Sequence, residues 1–109
     1  MAKEKSDKKR VEKVYVGLRD SGDWTKKTIT VNGKPLKHIV CNSPTGMEWG
    51  YGGSGCADLA LSILTDYLGD KKLAMAHRHQ FKFDVVAGLA YNGWTITGEE
   101  IEEWLLKNK

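Results

Sequence analysis

The sequence predicts an α+β fold: a mainly antiparallel sheet of three strands, or four if a late segment joins it, packed against about three helices. Three observations carry that prediction. Asn32-Gly33 separates two runs of strand character, the strongest short-range hairpin signal. Apolar residues recur at helical spacing between Cys56 and Leu68. Thr97-Gly98-Glu99-Glu100 has the pattern of a capping box.

The strands come first along the chain. In Val14-Tyr15-Val16-Gly17-Leu18-Arg19, Val14, Val16 and Leu18 share one face. Asp20 to Asp23 has turn chemistry. Lys27–Val31 and Leu36–Cys41 then form the N-terminal hairpin around Asn32-Gly33. Pro35 cannot donate a ladder hydrogen bond, so it belongs at a strand end or edge. Between Asn42 and Gly55 the chain is irregular and rich in glycine.

A helix from about Cys56 to Leu68 follows, with Ala60, Ile63, Leu64, Tyr67 and Leu68 on one stripe. Gly69 suits its C-terminal cap and Asp70 the N-cap of the next helix. Leu73, His77, Phe81, Val85 and Leu89 recur every four residues, which favours helix through that stretch. The rival is a strand from Phe81 to Ala87, supported by β-branched and aromatic content. In the last helix Ile96 and Ile101 stand where a hydrophobic staple puts them, and Ile101, Trp104 and Leu105 form the buried stripe. Its acids fall early and Lys107 and Lys109 late, as the helix dipole prefers. Trp94-Thr95-Ile96 is the candidate fourth strand.

The 109 residues, 40% apolar and 28% charged, are the size and composition of one globular domain. No run of eighteen apolar residues is present to cross a membrane. The N-terminus lacks the apolar stretch of a secretory signal, so the expected location is cytoplasmic, with Cys41 and Cys56 as free thiols. Residues 1–13 carry six basic and three acidic side chains, a net charge of +3 that equals that of the whole chain. Residues 14–109, the predicted domain, are therefore neutral. The first thirteen residues read as a solubilising tail or a weak electrostatic arm for nucleic acid.

Trp49-Gly50-Tyr51-Gly52-Gly53-Ser54-Gly55 is the candidate ligand-binding segment. Four glycines in six residues cost folding entropy, so something requires that backbone. One reading is close approach of the chain to a helix or sheet, with Trp49 and Tyr51 packing beside it. A second is a phosphate site, because a glycine loop entering a helix offers unpaired amides and the positive end of the dipole. Gly50 to Gly55 fits G-x-G-x-x-G, but a preceding hairpin is the wrong context for a dinucleotide fold and no Walker lysine follows. The third is catalysis by Cys56 near the helix N-terminus, with His38, His77 or His79 as base. No spacing places any of them beside it, so an inert thiol is the better reading.

Other candidates are weaker. His77 and His79 fall on different helix faces and complete no zinc site. Glu99, Glu100, Glu102 and Glu103 read as a solvated helix face. The four tryptophans at 24, 49, 94 and 104 read mostly as core, although an exposed Trp49 or Tyr51 would anchor a protein contact. No catalytic residue, metal or cofactor is predicted.

The run Trp49 to Gly55, followed by Ala57-Asp58-Leu59-Ala60-Leu61 and Leu64, resembles a group of small bacterial and phage proteins, the family of unknown function numbered 6166. Tyr15-Val16-Gly17, Gln80-Phe81-Lys82 and Trp94-Thr95-Ile96-Thr97 are similar too, so the likeness runs from about Tyr15 to Leu105. The family has no established activity. The resemblance implies a short stand-alone chain, often on mobile elements, and hence a binding or modulating role. Similar sequences carry proline where this chain has Cys56, which implies that the thiol is not shared chemistry. The expectation is a non-enzymatic interaction module with a protein partner. The alternatives are a nucleic-acid accessory protein using the tail and a phosphate- or nucleotide-binding protein using the glycine loop.

Overall fold

The computed structural model describes residues 10–23, 26–43 and 46–108. Its sheet has four strands, β1 (Val14–Arg19), β2 (Lys27–Val31), β3 (Lys34–Pro35) and β4 (Gly93–Thr97), in the order β3-β2-β1-β4 with every pairing antiparallel. Asn32 (φ 50°) and Gly33 (φ 81°) take the left-handed conformations that a tight hairpin between β2 and β3 demands. Pro35 lies in the edge strand, where its missing donor costs nothing. The late segment does join: β4 pairs along β1, with Tyr15 opposite Ile96 and Gly17 opposite Trp94.

Val14, Val16 and Leu18 do share a face of β1, but it is the outer one. Tyr15 is fully buried and Gly17 is buried, whereas Leu18 is 55% exposed. Period-two spacing says which residues go together and not which set faces inward. Gly17 decides the matter, because the Trp94 indole lies where its Cβ would be. Tyr15 buries its ring while its hydroxyl donates to Asp66 Oδ2 at 2.6 Å. That bond and burial together push its phenol far above the ordinary range, burial contributing most.

The second arm of the predicted hairpin departs from expectation after two residues. Leu36 turns into the core, and residues 36–43 form no strand. Leu36 N–H still donates to the Ile29 carbonyl of β2 at 2.9 Å, but the amides of Ile39 and of Cys41 to Ser43 bond helix side chains instead, as described below.

Three helices cover the inner face: α1 (Ser54–Leu68), α2 (Lys71–Asp84) and α3 (Gly98–Lys107). α1 is the central element, buried continuously from Gly55 to Leu64 and again at Tyr67 rather than along one stripe. Gly69 caps it in the left-handed conformation (φ 68°), and its N–H donates to the Thr65 carbonyl. Asp70 then caps α2 by accepting from the amides of Lys72 and Leu73. α2 ends at Asp84, and a 3-10 turn (Val86–Gly88) follows, so no strand forms between Phe81 and Ala87. Thr97 and Glu100 close the capping box on α3, and Ile96 and Ile101 are both buried beside it.

Arg10 to Lys13, which the charge pattern assigns to the tail, rest on the domain. Arg10 pairs with Glu102 (3.2 Å), Lys13 with Asp66 (3.0 Å), and the Lys13 carbonyl accepts from Gly98 N–H at 2.7 Å. The remainder of the predicted tail, residues 1–9, lies outside the described residues, as does Trp24.

Candidate functional site

The glycine segment has a base fastened to the core and an aromatic tip. Trp49 is the anchor and is fully buried. Its indole N–H donates to the Ala90 and Tyr91 carbonyls (3.0 and 2.9 Å), and its ring meets Trp94 edge-on at 5.6 Å. The Arg19 guanidinium lies between the Trp49 ring, at 4.3 Å, and the Tyr91 ring, at 4.0 Å. Arg19 also pairs with the Glu48 carboxylate, which Lys27 approaches at 3.0 Å. Burial pushes the Glu48 carboxyl up, but hydrogen bonds and charge from Arg19 and Lys27 outweigh it and hold the group below its ordinary range.

Gly50 is needed for its backbone conformation, and Gly53 and Gly55 for close approach. Gly50 has φ 87°, and its N–H donates to the Val86 carbonyl at 3.0 Å. A Cβ on Gly53 would overlap the Tyr51 ring, and one on Gly55 would press on Glu48 Cβ at 2.9 Å. The Glu48 N–H donates to the Gly55 carbonyl at 2.9 Å, so an acidic residue sits against the first turn of α1. Burial pushes the Cys56 thiol's pKa up, the opposite of an activated nucleophile. The tight contacts at Gly53 and Gly55 and the adjacent carboxylate favour the close-approach reading over the phosphate reading.

What the segment presents to solvent is aromatic. Tyr51 is 52% exposed, and Phe83 of α2 and Tyr91, ahead of β4, are 53% and 48% exposed. Gly52 and Gly50 seat the loop between these rings: their Cβ positions lie 3.6 Å from Phe83 and 3.9 Å from Tyr91. Lys82 Nζ stands 4.4 Å over the Phe83 ring, and His79 stacks edge-on against it at 4.9 Å. Of the predicted segment, Gly50, Tyr51, Gly52 and Ser54 are exposed, Gly53 is intermediate, and Trp49 and Gly55 are buried. Phe83 and Tyr91 were missed because each stands alone in the sequence, with no spacing that ties it to the loop.

A second constellation also escaped the sequence reading. Asp58, fully buried in α1, accepts from the amides of Cys41 (3.2 Å), Asn42 (2.8 Å) and Ser43 (3.0 Å) and pairs with His38 Nε2 at 2.8 Å. One turn later Ser62 Oγ accepts from Ile39 N–H at 2.8 Å. Burial raises the Asp58 pKa, but the Asn42 amide, the His38 ring and the other two amides lower it further, so the carboxyl is held below its usual range. The available signal was Asp58 and Ser62 at i, i+4 in an otherwise apolar helix. His38 is thus engaged by Asp58, His77 packs edge-on to Trp104 at 5.9 Å, and His79 belongs to the aromatic tip. Among the described residues no three His, Cys, Asp or Glu side chains converge as a metal site, and no helix is long and apolar enough to cross a membrane.

Fold and site together define a small α+β domain with exposed aromatic side chains beside a glycine-rich loop. The chain belongs to the family of unknown function DUF6166, whose model matches residues 15–107. No curated protein and no solved structure gives a match.

Proposed function

We propose that this protein is a non-enzymatic interaction module, of the phage or mobile-element kind that the family resemblance implies, and that Tyr51, Phe83 and Tyr91 form its protein-binding surface. The observation that carries this reading is the clustering of three half-exposed aromatic rings around a loop whose base is locked by Trp49, Arg19 and Glu48. Large rings on a rigid support contribute binding energy at little entropic cost, which is why they dominate interface energetics. Trp49 serves as the support and not as a contact.

The test is site-specific photo-crosslinking in the host cell with a benzophenone side chain placed at position 51, 83 or 91, and at the exposed position 28 of β2 as control. The expected result is one common protein adduct from the first three positions and none from the fourth. Adducts of equal pattern at all four positions would refute the surface. An amide titration with pyrophosphate, ATP and a DNA duplex separates the rival readings: saturable shifts at Gly52 to Gly55 would instead establish an anion site.

A further inference from the structure

β4 is an edge strand, paired on one side with β1. The phase of that pairing fixes where its other main-chain groups point. Arg19 N–H donates to the Asn92 carbonyl (3.1 Å) and Gly98 N–H to the Lys13 carbonyl (2.7 Å), one at each end of the ladder. Hydrogen-bonded pairs alternate along antiparallel strands, so Trp94 and Ile96 bond β1 and the N–H and C=O of Gly93 and Thr95 face away from it. Thr97 N–H, next in that outward row, is taken by Glu100 Oε1 at 2.9 Å. Among the described residues the open edge is therefore short and centred on Thr95.

Beside that edge lies an open cavity of about 320 Å³ between the end of α2 and α3. Phe81, Val85, Leu89, Ile101 and Trp104 supply its apolar floor, and Thr95 and Ile96 form the β4 wall. Glu100, Glu103 and Lys107 stand at its rim, a net charge of −1. Strand edge, apolar pocket and helix flank are the parts that β-strand addition uses, in which main-chain bonds give affinity and pockets for alternate side chains give specificity.

We propose that the β4 edge and this cavity bind an extended peptide segment of a partner protein as a fifth strand. One bulky apolar side chain of the segment enters the cavity, and a basic residue two positions along, on the same face of the strand, faces Glu103. The site is separate from the Tyr51 surface and does not depend on it. An edge left open beside an apolar recess is otherwise a liability for unwanted pairing.

The test is an amide titration of the full chain with blocked six-residue peptides lysine-valine-X-valine-lysine-valine, in which X is phenylalanine, leucine or aspartate and the lysines share its face. Saturable shifts at Gly93 to Thr97 and at the Trp104 indole N–H are expected with phenylalanine or leucine, and at least tenfold weaker binding with aspartate. Thr95→Pro removes an outward N–H that bonds no other described residue, so it should abolish binding while the remaining spectrum stays native. Glu103→Lys, on an exposed helix position, should weaken binding at least threefold. No shift at β4 with any peptide up to millimolar concentration overturns the proposal, as does equal binding of the aspartate peptide. Shifts at β4 that depend on protein concentration without peptide would assign the edge to a second copy and overturn it too.

Discussion

Replacing Asp58 by asparagine tests how residues 38–43 are held. Asp58 carries four bonds in a fully buried position: three from consecutive main-chain amides and one to the His38 ring. Hydrogen bonds to a charged group contribute about 1.5–3 kcal/mol each. Asparagine keeps one carbonyl oxygen and places an amino group where the other oxygen accepted. If it keeps the Oδ2 side it strands the Asn42 amide, and in the other orientation it strands the amides of Cys41 and Ser43. Breaking a buried charged network costs about 3–5 kcal/mol, and we expect Asp58→Asn to fall in that range. At about 4–8 °C per kcal/mol for a domain of this size, the Tm should drop by at least about 12 °C. Urea unfolding followed by tryptophan fluorescence gives the energy, and amide exchange at Cys41 to Ser43 shows whether the loss begins there. The pH dependence adds a second constraint. The folded pKa of Asp58 lies below its unfolded value of about 3.9, so its contribution is complete above that value and is lost as pH falls through the folded pKa. The difference between wild type and Asp58→Asn should be full above about pH 5 and shrink below about pH 4. A loss under about 1 kcal/mol with unchanged exchange at Cys41 to Ser43 would refute the reasoning, since those amides would then need no carboxylate.

The two thiols should separate in a labelling experiment with a disulfide reagent: Cys41 is exposed and reacts in the native protein, while buried Cys56, its pKa raised, reacts only once denaturant is added. Rapid native reaction of both thiols would contradict the packing of the glycine loop around Cys56. Gly17→Ala puts a methyl group into the Trp94 indole and should cost about 1–3 kcal/mol by urea unfolding, with altered tryptophan fluorescence; a neutral result would show that β1 and β4 do not pack as described. Thr97→Ala removes the capping box of α3 and should cost about 1 kcal/mol, read from the same unfolding curves.

Much of the fold was set by local chemistry and could be read from the sequence. Asn32-Gly33 makes the hairpin because only residues tolerant of positive φ fit that turn. Gly69 and Asp70 end one helix and begin the next, and Thr97 to Glu100 close a box within four residues. Each is a contact between near neighbours, so neighbouring letters suffice to specify it. The glycine loop was legible as unusual for the same reason, because four glycines in six positions mark a backbone under close constraint.

Tertiary structure decided what depends on distant partners. Val14, Val16 and Leu18 look like a core face until Trp94, 77 residues beyond Gly17, claims the other side of β1 for its ring. Leu36–Cys41 has strand composition, yet beyond Leu36 the amides of Ile39 and Cys41 go to Ser62 and Asp58 rather than to a sheet neighbour. Trp49 and Tyr51, two positions apart in one motif, part company because Arg19 and the Ala90 and Tyr91 carbonyls hold the first ring inside and leave the second in solvent. Side-chain type sets which partners are possible, but burial is chosen by long-range packing, and no local pattern encodes it.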